Sequence, residues 1–172
     1  MVNDSKVWLI TGSSTGFGRT LAEMVLEKGD RVIATARKPV QLEDLISKYP
    51  QTAIALKLDV TNHAEIKAAV DSAIAKLGRV DILVNNAGYG LIGALEEVSD
   101  EQIHRNFDTN LFGAIKVIRA VLPVMRKQQS GHIINMSAIA GFTNELGFSI
   151  YGGAKFALEG VSEALRGEVA PL

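Results

Sequence analysis

No cysteine occurs among the 172 residues, which excludes disulfides, thiolate metal sites and cysteine nucleophiles together. An excess of charge of either sign is missing too: 18 Lys and Arg face 19 Asp and Glu, a net charge of -1, with a pI near 6.3. A chain so balanced has no bulk attraction to nucleic acid or to an anionic membrane, so neither is expected as a partner and any basic residue that matters acts locally, in a pocket. No apolar run reaches the length of a membrane span. Strand pattern already begins at Val7 and leaves no room for a leader peptide, so the expectation is a cytoplasmic protein. Linkers, internal repeats and low-complexity segments are also lacking, and 1–172 is expected to form one domain. A hydrophobic content of 47% with mean hydropathy +0.16 makes that domain globular, with a sizeable core.

What is present starts with Val7 to Gly18, an apolar run that breaks into Gly12, Gly16 and Gly18 and then into helical pattern. It reads as strand, phosphate loop and helix: glycine permits positive φ and close backbone approach, and the N–H groups and dipole of the helix favour an anion. The Gly-x3-Gly-x-Gly spacing differs from the usual dinucleotide fingerprint. By itself it is equally a glycine-rich turn that binds nothing.

Helical pattern then runs to about Lys28, closed by Gly29, and Arg31 to Ala36 forms the second strand. At the end of that strand an acidic residue would accept the ribose 2′-hydroxyl of NAD, but here Ala36 is followed by Arg37 and Lys38. Two cations suit a 2′-phosphate, hence NADP; the plain alternative is a solvated basic loop. A short helix through Leu42 and Leu45 precedes a third strand, Ala53 to Leu58, which ends in Asp59-Val60. Asn62-x-x-Glu65 resembles a capping box for a helix whose apolar face is Ile66, Ala69, Val70, Ala73, Ile74 and Leu77, with Gly78 as its stop.

A fourth strand, Val80 to Val84, runs into Asn85-Asn86-Ala87-Gly88, a tight turn or a ligand-binding edge. After a loop, Ser99-x-x-Gln102 opens one long helix to about Lys127, with Gly113 and Pro123 as candidate bend sites. Asn110 lies on or beside its apolar face, as a satisfied polar group, as a cause of a bend or as a holder of water. The fifth strand is Gly131 to Met136, and a loop leads to Tyr151-x3-Lys155. That spacing puts phenol and ammonium on one face of a final helix reaching about Val169. None of His63, His104 or His132 falls where a general base is needed. The alternation of five strands and helices predicts a doubly wound parallel α/β sheet, a Rossmann fold.

Thr11-Gly12-x3-Gly16-x-Gly18, Asn85-Asn86-Ala87-Gly88, Asn110 and Tyr151-x3-Lys155, in this order, resemble the short-chain dehydrogenase/reductase family over essentially the whole chain. The resemblance implies an NADP-dependent oxidoreductase interconverting an alcohol and a carbonyl. Gly12, Ser14, Thr15, Gly16, Phe17 and Gly18 would hold the pyrophosphate, Asp59 and Val60 the adenine, and Asn86, Ala87 and Gly88 would lie beside the nucleotide. Arg37 matches the NADP-selecting position. Tyr151 would be the acid/base, Lys155 would bind the nicotinamide ribose and lower the phenol's pKa, and Asn110 would position a relay water. A unit charge at ~4 Å and effective dielectric ~20 is worth about 4 kcal/mol, roughly three units, and would bring a phenol from ~10 to ~7. The family habit also implies a homo-oligomer paired through the long helices 99–127 and 152–169.

Two departures stand out. Family members carry a serine thirteen residues before the tyrosine, and that position is Ala138, with Ser137 adjacent but expected to point the other way. The family also continues through further strands, whereas this chain ends at Ala170-Pro171-Leu172, which would leave the fifth strand as an edge. A catalytically impaired NADP-binding fragment or pseudo-enzyme, or an oligomerisation scaffold, therefore stands beside the enzyme reading.

Overall fold

A computed structural model describes residues 5–170; Pro171 and Leu172 at the chain's end lie outside the described residues. Five parallel strands, β1 (Val7–Ile10), β2 (Arg31–Ala36), β3 (Ala53–Lys57), β4 (Ile82–Asn85) and β5 (His132–Asn135), lie in the order β3-β2-β1-β4-β5. The helices are α1 (Gly16–Glu27), α2 (Glu43–Lys48), α3 (His63–Leu77), α4 (Asp100–Phe107), α5 (Gly113–Gln128) and α6 (Ser149–Val169). Among the described residues no helix is long and apolar enough to cross a membrane.

Alternation along each strand sorts the side chains into two cores. Val7 and Leu9 of β1, Ile33 of β2 and Leu83 of β4 meet Ile66, Ala69, Val70 and Ala73 of α3 and Val117, Ile118 and Val121 of α5. On the other face Ile10, Val32, Ala34, Ala36 and Val84 meet Ala22, Val25 and Leu26 of α1 and Leu45 of α2. Chain order reverses between β1 and β4, which pair directly. The turns after these two strands therefore touch, at the kind of switch point where open α/β sheets bind ligands.

Most predicted elements are present, with four corrections. The long helix from Ser99 is interrupted: α4 ends at Phe107 and a π-turn, Asp108–Phe112, precedes α5, so the break sits at Asn110 and not at Gly113 or Pro123. The Asn110 amide supplies the reason, because its Nδ2 donates to the carbonyl of Asn106 four residues back (3.0 Å) and so takes an acceptor of the α-helical ladder. Secondly, Asn62 caps α3 through the N–H groups of Ala64 and Glu65, but Glu65 does not return the bond; its carboxylate accepts from Asp59 N–H (2.9 Å) and pairs with Lys57 (2.8 Å). At Ser99 and Gln102 the reciprocal box is complete. Thirdly, β4 begins at Ile82 because Val80 gives both backbone groups to the Gln128 side chain (3.0 and 2.9 Å). Finally, α6 starts at Ser149, so Tyr151 lies inside its first turn.

The edge strand β5 is only half buried. Over it, lined by α5, β5 and α6, lies a groove of about 620 Å³ whose lining includes Met125, Ile133, Ser137, Leu158 and Ser162.

Candidate active site

The glycine turn and the turn after β4 form one unit. Gly12 has φ +68°, and a Cβ there would stand 3.0 Å from Ala87 Cα; Gly16 has φ +59° with no heavy atom within 4 Å of its Cβ position. The first glycine thus permits the packing of two turns, and the second leaves open space before a helix end. Thr11 joins the turns: its buried hydroxyl accepts from the N–H groups of Asn86 and Ala87 (both 3.0 Å). The Asn86 amide donates to the carbonyls of Thr11 (2.9 Å) and Gly12 (3.1 Å). Asn86, expected beside the nucleotide, has its carboxamide committed to holding the glycine turn. Thr15, Gly16 and Phe17 form the exposed lip beside the half-buried Ser14, and α1 begins without a side-chain cap or an acidic residue in its first turn. Arg19 of α1 is occupied by Glu23 and Asp44.

At the ends of β2 and β3, Arg37, Lys38, Gln41, Lys57, Asp59 and Glu65 line a shallow pocket. Burial works to raise the Asp59 carboxyl, but hydrogen bonds from the N–H and hydroxyl of Thr61, with Arg37 and Lys57 nearby, hold it below the usual carboxylate range. Glu65 neutralises Lys57, while Arg37 and Lys38 have no ion-pair partner among the described residues. Lys57 and Gln41 were not singled out in the sequence, and Glu65 only as a capping residue; strand register alone pairs Lys57 with Ala36. Val60 is buried under Gly113, whose Cβ would stand 2.7 Å from Val60 Cγ2, so its side chain belongs to the α5 contact.

The chemistry-bearing residues meet at the carboxyl ends of β4 and β5. Lys155 is 5% exposed; its ammonium donates to Met136 O (2.7 Å) and lies 5.7 Å from the centroid of the Tyr151 ring. Burial pushes the Lys155 ammonium below its ordinary value, against the pull of Glu159, and pushes the Tyr151 phenol up. The expected lowering of the phenol is thus not present: the ammonium faces the ring, and desolvation penalises the phenolate. Beside them Gly88 is wedged between Asn110 and Lys155, its Cβ position 2.6 Å from Asn110 Oδ1 and 3.7 Å from Lys155 Nζ. Asn110 Oδ1 accepts from Tyr89 N–H (3.1 Å) and its Nδ2 donates to Tyr89 O (3.0 Å). This carboxamide grips the backbone of the turn, so a relay water would have to be held by other atoms. Asn106, wholly buried and not foreseen, adds a bond to the same Tyr89 carbonyl (3.2 Å).

Ala138 leaves β5 in extended conformation and brings no hydroxyl to this cluster. Ser137 turns the other way: its buried Oγ, without a hydrogen-bond partner, lies against Gly141 and lines the groove over β5, which neither Tyr151 nor Ala138 lines.

The family model for short chain dehydrogenase matches residues 6–172. The chain is 43% identical over 167 residues to an oxidoreductase of Botryotinia fuckeliana, covering 96% of this chain and 61% of that protein. It is also 43% identical over 166 residues to a 3-ketodihydrosphingosine reductase of Bacteroides thetaiotaomicron, covering 96% and 59%. A short-chain dehydrogenase of Streptomyces avermitilis superposes with TM-score 0.96 at 45% identity, over 99% of this chain and 63% of the other. The chain spans about three fifths of the length of these relatives. With the glycine turn, the switch-point sheet and the Tyr151 and Lys155 cluster all within the matched region, the chain belongs to the short-chain dehydrogenase family of oxidoreductases.

Proposed function

We propose that the protein is an NADP-dependent oxidoreductase that interconverts an alcohol and a carbonyl, with Tyr151 as its acid/base. The observation that carries this reading is the buried Lys155 ammonium over the Tyr151 ring at the carboxyl ends of β4 and β5, since a cation is buried at such cost only where it has work to do. The donors present suit the cofactor. Gly12, Gly16 and Gly18 with the open end of α1 take the pyrophosphate, the unpaired Arg37 and Lys38 take the 2′-phosphate, and the backbone of Asp59 and Val60 borders the adenine. Ala87 and Gly88 flank the nucleotide, and Lys155, one of whose three N–H groups is used by Met136, offers the others to ribose hydroxyls.

When bound, the cofactor would supply the hydride that reduces the substrate carbon, or take it up in the reverse direction. Tyr151 donates its phenolic proton to the carbonyl oxygen, giving an alcohol, and recovers a proton from water. Burial keeps the phenol protonated, which is the form that reduction requires; the Bacteroides relative is likewise named as a reductase. Asn110 acts by fixing the Gly88-Tyr89 turn against Lys155. One observation favours a second reading, an NADP-binding protein with slow or no turnover: Ala138 supplies no hydroxyl and Ser137 faces away. The apolar Phe112 and Phe156, exposed on the π-turn and on α6, support pairing of two copies through these helices.

Fluorescence titration of NADPH and NADH against the parent and Arg37→Ala tests the cofactor. A charge-assisted hydrogen bond is worth about 1.5–3 kcal/mol, so NADPH should weaken by roughly 10- to 100-fold and NADH hardly at all. Equal losses refute the assignment. Tyr151→Phe should keep NADPH binding and lose ketone reduction; a retained rate would remove Tyr151 from the chemistry.

A further inference from the structure

The two loops that frame Tyr151 carry large apolar side chains that no described residue covers. Ile92, in the loop after β4, and Ile139, Phe142 and Leu146, in the loop after β5, are between 71% and 100% exposed. They form one rim. Gly93 N–H donates to Gly147 O (2.9 Å), and Ile92 Cγ2 lies 3.5 Å from the Cβ position of Gly147. That rim is continuous with the reacting group: Phe148 stacks obliquely on Tyr151 at 6.3 Å between ring centroids, and the first loop starts at the Gly88-Tyr89 turn held by Asn110. Its charges have one sign. From Gly88 to Val98 and from Ser137 to Phe148 the charged residues are Glu96, Glu97 and Glu145, with no Lys or Arg.

We infer that this rim receives the hydrocarbon part of an uncharged, apolar substrate whose carbonyl or hydroxyl reaches Tyr151. A carboxylate or phosphate on the substrate would meet three carboxylates and no Lys or Arg on these two loops, whereas a hydrocarbon would remove exposed apolar surface from water at both loops. The inference rests on the oxidoreductase reading for the position of the reacting oxygen. The substrate class rests on the loops alone.

The full chain, saturated with NADPH, is titrated calorimetrically with 2-butanone, 2-octanone and 2-decanone, and with 9-oxodecanoate, a ketone of the last one's length ending in a carboxylate. NADPH consumption is followed in the same samples. Affinity should rise roughly two- to fourfold per methylene, the upper figure being the equivalent of ~0.8 kcal/mol, and 9-oxodecanoate should bind at least about tenfold more weakly than 2-decanone. Ile92→Lys and Leu146→Lys change exposed side chains, so folding is not at risk; each should weaken 2-decanone and tighten 9-oxodecanoate. Affinity independent of chain length, equal binding of the anionic ketone, or variants without effect would overturn the inference and show the rim to be covered by something other than substrate. Length-dependent binding with no NADPH consumption by any ketone would uphold the apolar rim and count against the oxidoreductase reading.

Discussion

Gly18→Ala tests whether the contact between the glycine turn and the turn after β4 is as tight as the geometry says. A methyl group at Gly18 would overlap the Asn86 amide and stand 2.5 Å from Gly12 O. The amide can swing aside only by giving up its bonds to Thr11 O and Gly12 O, at about 0.5–1.5 kcal/mol each. The carbonyl belongs to the backbone and cannot swing, so α1 must shift, at a cost of about 1–3 kcal/mol for overpacking. Against this, replacing glycine by alanine in a helix gains up to ~1 kcal/mol. The clash wins, and a net loss of at least about 1 kcal/mol should lower Tm by at least roughly 2–4 °C in a domain of this size. Gly160→Ala is the control: it lies in α6 with nothing within 4 Å of its Cβ position, so the same exchange should stabilise by ~0.4–1 kcal/mol. In an Asn86→Ala background the side-chain obstacle is gone, and the cost of Gly18→Ala should fall by about 1 kcal/mol while the clash with Gly12 O remains. Urea unfolding of the five proteins reads all terms. If Gly18→Ala is as stable as the parent, or behaves like Gly160→Ala, the two turns do not pack as described.

Three further predictions concern other parts of the cluster and its surroundings. Ala138→Ser should raise NADPH-dependent ketone reduction by about 10²- to 10³-fold, the usual worth of one donor at a developing oxyanion, whereas Ser137→Ala should leave turnover unchanged; abolition of activity by Ser137→Ala would reverse the assignment of the two positions. Because burial lowers the Lys155 pKa, the unfolded chain binds more protons between the folded value and the ordinary 10.5, so stability gains from this group as pH rises through that window. Lys155→Met removes the gain: its stability advantage over the parent should be largest near neutrality and shrink toward pH ~10.5, and a difference that is flat with pH would show that Lys155 is not buried as a cation. Phe112→Ser with Phe156→Ser should shift sedimentation toward monomer with little change in unfolding, since both side chains are half exposed; an unchanged sedimentation coefficient would remove these helices as the pairing surface.

Local information was enough for the elements and for the order of the motifs. The period of Ile66 to Leu77, the box at Ser99 and Gln102, and the glycine stops at 29 and 78 act within a few residues of themselves, so their effect is written where they stand. From these, and from the strand-helix alternation, the doubly wound sheet and the Tyr151 and Lys155 face followed by rules of handedness and period. What remained illegible depends on partners distant in sequence. Asn110 grips the backbone of Tyr89, 21 residues away, and Asn86 serves the glycine turn because β1 lies beside β4 across 75 residues. Glu65 leaves its own helix cap for Lys57 and Asp59, and so decides that, among the described residues, Arg37 and Lys38 rather than Lys57 are the unpaired cations of the pocket at the ends of β2 and β3. The sequence by itself determined which residue types were present and on which face of which element they stood. Only the tertiary structure decided how deeply they are buried and what they touch: it put the Lys155 ammonium in a desolvated position over the Tyr151 ring, raised the phenol where charge attraction alone would have lowered it, and turned Ser137 away from the site, because desolvation and direction are properties of packed surroundings and not of spacing.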